Sequence, residues 1–179
     1  MRKVIAAVYL TLDGVMENPT WTGPYFNDEL ARAQHALLFA SEALLLGRVT
    51  YEGFAAAWPD VTDEQGFADR MNTMPKFVAS RTLAAATWHA TLLAGDAPAA
   101  VAALRQQPGQ NLLLYGSGQL ADTLRQHNLI DEYRLMVFPV VRGRGQRFFR
   151  EGSAPTDFVL TDSQRTSTGV SLLTYHPAA

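Results

Sequence analysis

Two short runs, Ala43–Leu46 and Leu112–Leu114, are apolar at every position, and glycine follows closely at Gly47 and Gly116. A strand with one wet face alternates apolar and polar residues, so uniform apolarity over so few residues means cover on both faces. Segments of helical period lie between such runs. Residues 28–40 follow a capping Asn27 and set Leu30, Ala33, Leu37 and Leu38 on one face, and 48–58 read as a helix capped near Thr50 and stopped by Pro59. Residues 97–107 are capped by Asp96 and closed by Gly109, and a fourth helix spans about 118–127. Further strands are expected at 4–10, 75–80, 87–93 and 131–141. Residues 157–165 and 169–176 alternate around a Ser-Thr-Gly turn in the manner of an antiparallel hairpin. Residues 60–73 are polar and carry no clear period. The expectation is an α/β fold, with a mostly parallel sheet of about eight strands, helices on both faces and a C-terminal antiparallel hairpin.

At 179 residues the chain suits one domain over 1–179, and 15 basic against 17 acidic residues provide no broad basic field. Nucleic acid and anionic membrane surfaces are therefore not expected partners. Cysteine is absent, which removes disulfides and thiolate chemistry, and the histidines at 35, 89, 127 and 176 lack the paired spacing of a metal site. The apolar start alternates like a strand up to Asp13, and the longest apolar stretch, "ALLFASEALLLG", falls short of the ~20 residues that span a bilayer. Cytoplasmic location is the default expectation.

Ligands of open α/β sheets sit beyond the carboxyl ends of the strands. Three turns there carry suitable chemistry: "LLLGRVT", with Gly47, Arg48 and Thr50; "FVASRT", with Ser80 and Arg81; and "LLLYGSGQLA", with Gly116, Ser117, Gly118 and Gln119. Guanidinium and hydroxyl groups at helix mouths meet phosphate oxygens, and glycines admit backbone N–H groups to a pyrophosphate. Gly116, Gly118 and Ala121 formally match the G-x-G-x-x-G/A fingerprint of dinucleotide-binding domains, but Arg142 and Arg144 follow the next strand where that fingerprint wants an acid. Three such turns on one edge outline a dinucleotide with an additional phosphate.

Together with "TLDGVMENPTW" after the first strand and "EYRLMVFPVVRGRGQRFF" near the end, these turns resemble the dihydrofolate reductase-like superfamily. Within it, the chain is similar to the reductase family related to the C-terminal domain of the riboflavin-biosynthesis deaminase/reductase. The resemblance implies a homodimeric NADPH-dependent reductase acting on a small heterocyclic (pterin- or pyrimidine-like) or carbonyl substrate. Arg48, Ser80 and Arg81 would take the 2′-phosphate, while Gly47, Thr50 and Gly116 to Gln119 would take the pyrophosphate and nicotinamide. Asp13 and Asp28 are the candidate catalytic acids, and Met16 and Trp21 the candidate substrate contacts.

The match is incomplete on the substrate side. Dihydrofolate reductases carry an acid within the first helix, where this chain has Ala31, Arg32, Ala33, Gln34 and His35; Asp28 and Glu29 come earlier. Asp13 either orients a substrate amide or belongs to an ordinary Asp-Gly turn, and Trp21, Tyr25 and Phe26 either line a flat pocket or tuck a long loop onto the core. A non-catalytic nucleotide- or pterin-binding protein on the same fold is the alternative.

Overall fold

The computed structural model describes residues 1–178. Strands β1 (Val4–Thr11), β2 (Ser41–Gly47), β3 (Lys76–Ala79), β4 (Ala90–Leu92), β5 (Asn111–Tyr115), β6 (Glu132–Phe138), β7 (Phe158–Arg165) and β8 (Ser171–Pro177) form one sheet. Its order is β4-β3-β2-β5-β1-β6-β8-β7, parallel from β4 to β6 and antiparallel at β6–β8 and β8–β7. Helices α1 (Asp28–Phe39), α2 (Arg48–Ala57) and α3 (Phe67–Thr73) cover one face; α4 (Ala97–Gln106) and α5 (Gly118–Gln126) cover the other. Among the described residues no helix is long and apolar enough to cross a membrane.

The two apolar runs explain this arrangement. In β2, Leu44 and Leu46 pack beneath α1 and α3 while Ala43 and Leu45 face α4 and α5, and all four are buried. Each such leucine contributes roughly 1.5–3 kcal/mol of burial, and a strand so loaded on both faces cannot sit at an edge. The connections from β1 and β2 run one way along the sheet over one face, and those from β4 and β5 run back over the other, as right-handed crossovers require.

Several local expectations change. Residues 67–73 of the polar stretch form α3, whose first-turn amides are capped by the Asp63 carboxylate rather than by its N-cap Gly66. The expected strand 87–93 shrinks to β4 because Trp88 and His89 turn through left-handed conformations, with φ of 55° and 53°. Pro139 cannot donate to a ladder, and β6 stops at Phe138. Helix α2 starts at Arg48 with Gly47 as its N-cap, so Thr50 lies inside the first turn and caps nothing.

Lys76 opens β3 fully buried, without a carboxylate partner among the described residues. Its ammonium donates to the carbonyls of Asn72 and Met74 and lies 3.9 Å from the centre of the Trp88 ring. Desolvation lowers its pKa from 10.5 to about 8. Between those values the unfolded chain holds the proton that the folded chain releases, so stability from this residue rises with pH. Above about pH 10 the buried tyrosines, whose pKa values are raised, reverse the trend. Urea unfolding from pH 8 to 10 is expected to show stability rising by on the order of 1–2 kcal/mol, with Lys76→Met flattening that slope; identical slopes in both proteins would contradict this.

Candidate active site

Strand β5 lies between β1 and β2, and its following helix goes to the opposite face from theirs. Where adjacent strands send their connections to opposite faces, the loops part and leave a crevice at the carboxyl edge. The suggestive turns lie along that edge. Gly47 pairs in register with Ala79, which places Arg48 beside Ser80 and Arg81, and the β2–β5 register brings Gly47 level with the glycine turn. From β3 across β2 and β5 to β1 there are three inter-strand steps, roughly 14 Å.

The turns also interlock. The Gly47 N–H donates to Ser117 Oγ at 2.9 Å, tying the mouth of α2 to that of α5. Ser117 is the N-cap of α5, and with its hydroxyl taken by Gly47 it caps no amide of its own helix. Helix α2, capped by Gly47, has no side-chain cap either, whereas Asn27 and Asp96 cap α1 and α4 in the ordinary way. So the two helices that begin at the crevice hold their first amides and positive dipole ends free of side-chain acceptors. Gly116 takes a left-handed φ of 51°, which favours glycine there, and Gly118 lies directly under Met16, whose Sδ would be 2.7 Å from a Cβ at that position and would have to shift to admit one. Thr50 borders the same turn, 3.7 Å from the Cβ position of Gly116.

The cationic end is lightly committed. Arg48 bonds Glu52 one turn along at 2.9 Å, an exposed pair worth about 0.3–0.5 kcal/mol, and Arg81 is exposed with no ion pair among the described residues. Ser80 Oγ accepts from the amides of Thr82 and Leu83, which fixes the turn carrying Arg81.

A cavity of about 720 Å³ opens over Tyr115, the residue that precedes the glycine turn. Phe26, Phe54, Trp58 and Phe67 line it, and Tyr9 and Tyr115 reach it from β1 and β5. The α1 side chain at its floor is Gln34: its Nε2 donates to the Tyr9 hydroxyl at 2.6 Å, and its Oε1 accepts from the Tyr115 hydroxyl at 3.2 Å. Burial pushes the Tyr9 hydroxyl up to about 12 and Tyr115 further, so both stay protonated. Gln34, Tyr9 and Tyr115 were not singled out from the sequence, although a glutamine four residues from both Leu30 and Leu38 on a buried stripe marks a polar group facing inward. A smaller cavity of about 380 Å³ lies at the amino ends of the strands, among Lys3, Asn111 and Glu132, away from these turns.

Three expected residues behave differently. Trp21 is buried against Phe138, its Nε1 donating to the Glu17 carbonyl at 3.4 Å, and it is core rather than pocket wall. Asp28 is exposed on the first turn of α1, outside the cavity, where it suits the helix dipole. Asp13 accepts from the Thr11 hydroxyl at 2.6 Å and from the amides of Arg142 and Gly143 at 3.1 and 2.7 Å. These bonds, the Thr11 hydroxyl foremost, lower its pKa to about 2, so it is a fixed anion rather than a proton donor. It fastens the loop bearing Met16 to residues 142–147, an attachment extended by the Met16 amide on the Gln146 carbonyl. Of the flanking aromatics, Phe26 lines the cavity while Tyr25 packs on Phe138.

Because Asp13's pKa is depressed, its stabilising contribution is complete above about pH 4 and disappears as pH falls toward 2. Asp13→Asn is expected to melt below the wild type at neutral pH, with faster amide exchange at residues 142–147, and to match it near pH 2. Equal melting temperatures at pH 7 would refute the fastening role.

A match to the family described as "RibD C-terminal domain" covers residues 2–172. YyaP of Bacillus subtilis, an uncharacterized protein, is 25% identical over 178 residues, 98% of this chain and 95% of its own. A pyrimidine reductase-like protein of Corynebacterium diphtheriae superposes with a TM-score of 0.74 at 12% identity, over 99% of this chain and 92% of that one. A diaminohydroxyphosphoribosylaminopyrimidine deaminase/5-amino-6-(5-phosphoribosylamino)uracil reductase of Thermotoga maritima superposes with a TM-score of 0.70 at 16% identity, over 99% of this chain and 57% of that one. These neighbours have the dihydrofolate reductase-like fold. The chain belongs to the RibD C-terminal domain family, and its sheet order, reversal crevice and glycine turn are this sequence's version of that fold.

Proposed function

We propose that the protein is an NADPH-dependent reductase of a small heterocyclic or carbonyl substrate. The observation that carries this reading is the row of turns at the ends of β3, β2, β5 and β1, with two uncapped helix mouths beside an aromatic cavity. The residues present fit the cofactor. Arg48, Ser80 and Arg81 would hold a 2′-phosphate, the first amides of α2 and α5 with Thr50 and Gln119 a pyrophosphate, and the Gly116–Gly118 turn beneath Met16 the nicotinamide end. When bound, NADPH supplies a hydride, which carries two electrons to the substrate's electron-poor atom.

The chain's own part is to position and to exclude water. Met16 is held over the glycine turn by the Asp13 anchorage, and the cavity's aromatic walls suit a flat ring. A proton-donor role finds little support at Asp13, whose carboxylate is committed to Thr11 and to the amides of Arg142 and Gly143, or at Asp28, which lies outside the cavity. Tyr9, whose hydroxyl accepts from Gln34, keeps an uncommitted hydrogen at the cavity floor, which supports its donating a hydrogen bond to the substrate.

The absence of a carboxylic acid from that floor favours a second reading, in which the protein binds nucleotide and heterocycle without turnover. A turnover screen with pterins, flavin precursors and quinones separates the two: NADPH oxidation supports the reductase, and binding without oxidation supports the alternative.

Calorimetric titration is expected to give NADPH binding at least tenfold tighter than NADH, because each charge-assisted arginine–phosphate bond is worth about 1.5–3 kcal/mol. Arg48→Ala and Arg81→Ala should each weaken NADPH by roughly tenfold or more and leave NADH nearly unchanged. Equal affinity for the two dinucleotides would remove the 2′-phosphate assignment.

A further inference from the structure

We infer that the aromatic cavity takes an uncharged, unphosphorylated planar heterocycle that presents a cyclic-amide edge to Gln34, an inference that rests on the reductase reading and names its substrate class. The hydrogen-bond inventory at the floor sets the edge. A glutamine amide offers two N–H donors and two carbonyl lone pairs. Tyr9 takes one donor and Tyr115 occupies one lone pair, so one N–H and one lone pair remain on Gln34 in the cavity lining. An amide with one donor and one acceptor left complements another amide: the C=O and N–H of a lactam meet both groups. Gln34 is 7% exposed, and a substrate lacking that edge leaves a buried amide half-satisfied.

The same floor argues against charge. Tyr9 and Tyr115 remain neutral hydroxyls and Gln34 a neutral amide, so nothing there compensates a protonated or anionic ring.

The mouth argues against phosphate. No lysine or arginine lines the cavity. Its charged residues are Asp63 and Glu64: the Asp63 carboxylate accepts from the amides of Gln65, Phe67 and Ala68, while Glu64 is exposed without an ion pair among the described residues. His35 stacks on Phe39 at 4.0 Å between ring centres, and its Nε2 lies 3.2 Å from the Gln65 carbonyl. A dianion entering here meets carboxylates and no lysine or arginine, which disfavours it. The phosphoribosyl pyrimidine named for the Thermotoga maritima protein carries such a dianion, so this chain's substrate differs from it in that group.

Riboflavin and FMN share the lactam-bearing ring and the ribityl chain and differ only in the phosphate, and lumazine carries the lactam ring alone. Fluorescence titration of the purified protein is expected to show lumazine and riboflavin binding, with FMN at least tenfold weaker than riboflavin. Gln34→Leu should weaken lumazine and riboflavin by about tenfold, and exposed Glu64→Lys should close much of the gap between riboflavin and FMN. FMN binding as tightly as riboflavin would overturn the proposal. So would failure of both lumazine and riboflavin to bind, or a folded Gln34→Leu protein that binds them unchanged. NADPH titrated into the same samples separates the two levels: NADPH binding without flavin or lumazine binding sinks the substrate class alone, and the converse sinks the reductase reading alone.

Discussion

The hydrogen bond from the Gly47 amide to the Ser117 hydroxyl joins the two halves of the site. It spans the point where β5 enters between β1 and β2, and therefore the point where the sheet's winding reverses. A serine at an N-cap normally satisfies an amide of its own helix. Here the hydroxyl turns to the neighbouring turn, and two helix mouths are left with amides that an anion can satisfy. This coupling depends on the sheet: β2 and β5 must lie side by side in register, and their all-leucine interiors, buried on both faces, hold them at its centre.

Around this centre the division of labour follows chemistry. Polar and cationic groups occupy the side of the edge toward β3, where Arg48 and Arg81 are exposed and weakly committed. Aromatic groups and a neutral amide occupy the cavity, where the tyrosines hold their protons. Asp13 belongs to neither side. It fixes the loop that carries Met16, and the arginine-rich segment 142–147 contributes there through its backbone, by the amides of Arg142 and Gly143. The Arg147 guanidinium adds a bond to the Asp13 carbonyl at 2.9 Å.

Much of this was legible in the sequence where local chemistry decides structure. Uniform apolar runs ending near glycine give central strands because they leave no polar face to expose, and the strand ends rich in Gly, Ser, Thr and Arg come together along one carboxyl edge whatever their exact caps. Less was legible where distant residues decide. Tyr9, Gln34 and Tyr115 lie in three separate elements, and each alone reads as core; the floor exists only because α1 crosses β1 and β5. Trp21 and Asp28 look functional by residue type, yet packing on Phe138 places one in the core and the first turn of α1 leaves the other in solvent. Helix α3 escaped notice because its start is capped by an aspartate three residues before the N-cap glycine, in a stretch of otherwise polar residues.

On the reading proposed above, one dinucleotide would lie across the ends of β3, β2, β5 and β1. Residue-resolved amide exchange with and without NADPH tests it most directly, because the first amides of α2 and α5 have no side-chain caps of their own. Protection is expected to concentrate at Arg48 to Thr50, Arg81 to Thr82 and Ser117 to Gln119, with little change at the amino ends of the strands. Protection centred elsewhere, or none at saturating NADPH, would contradict it.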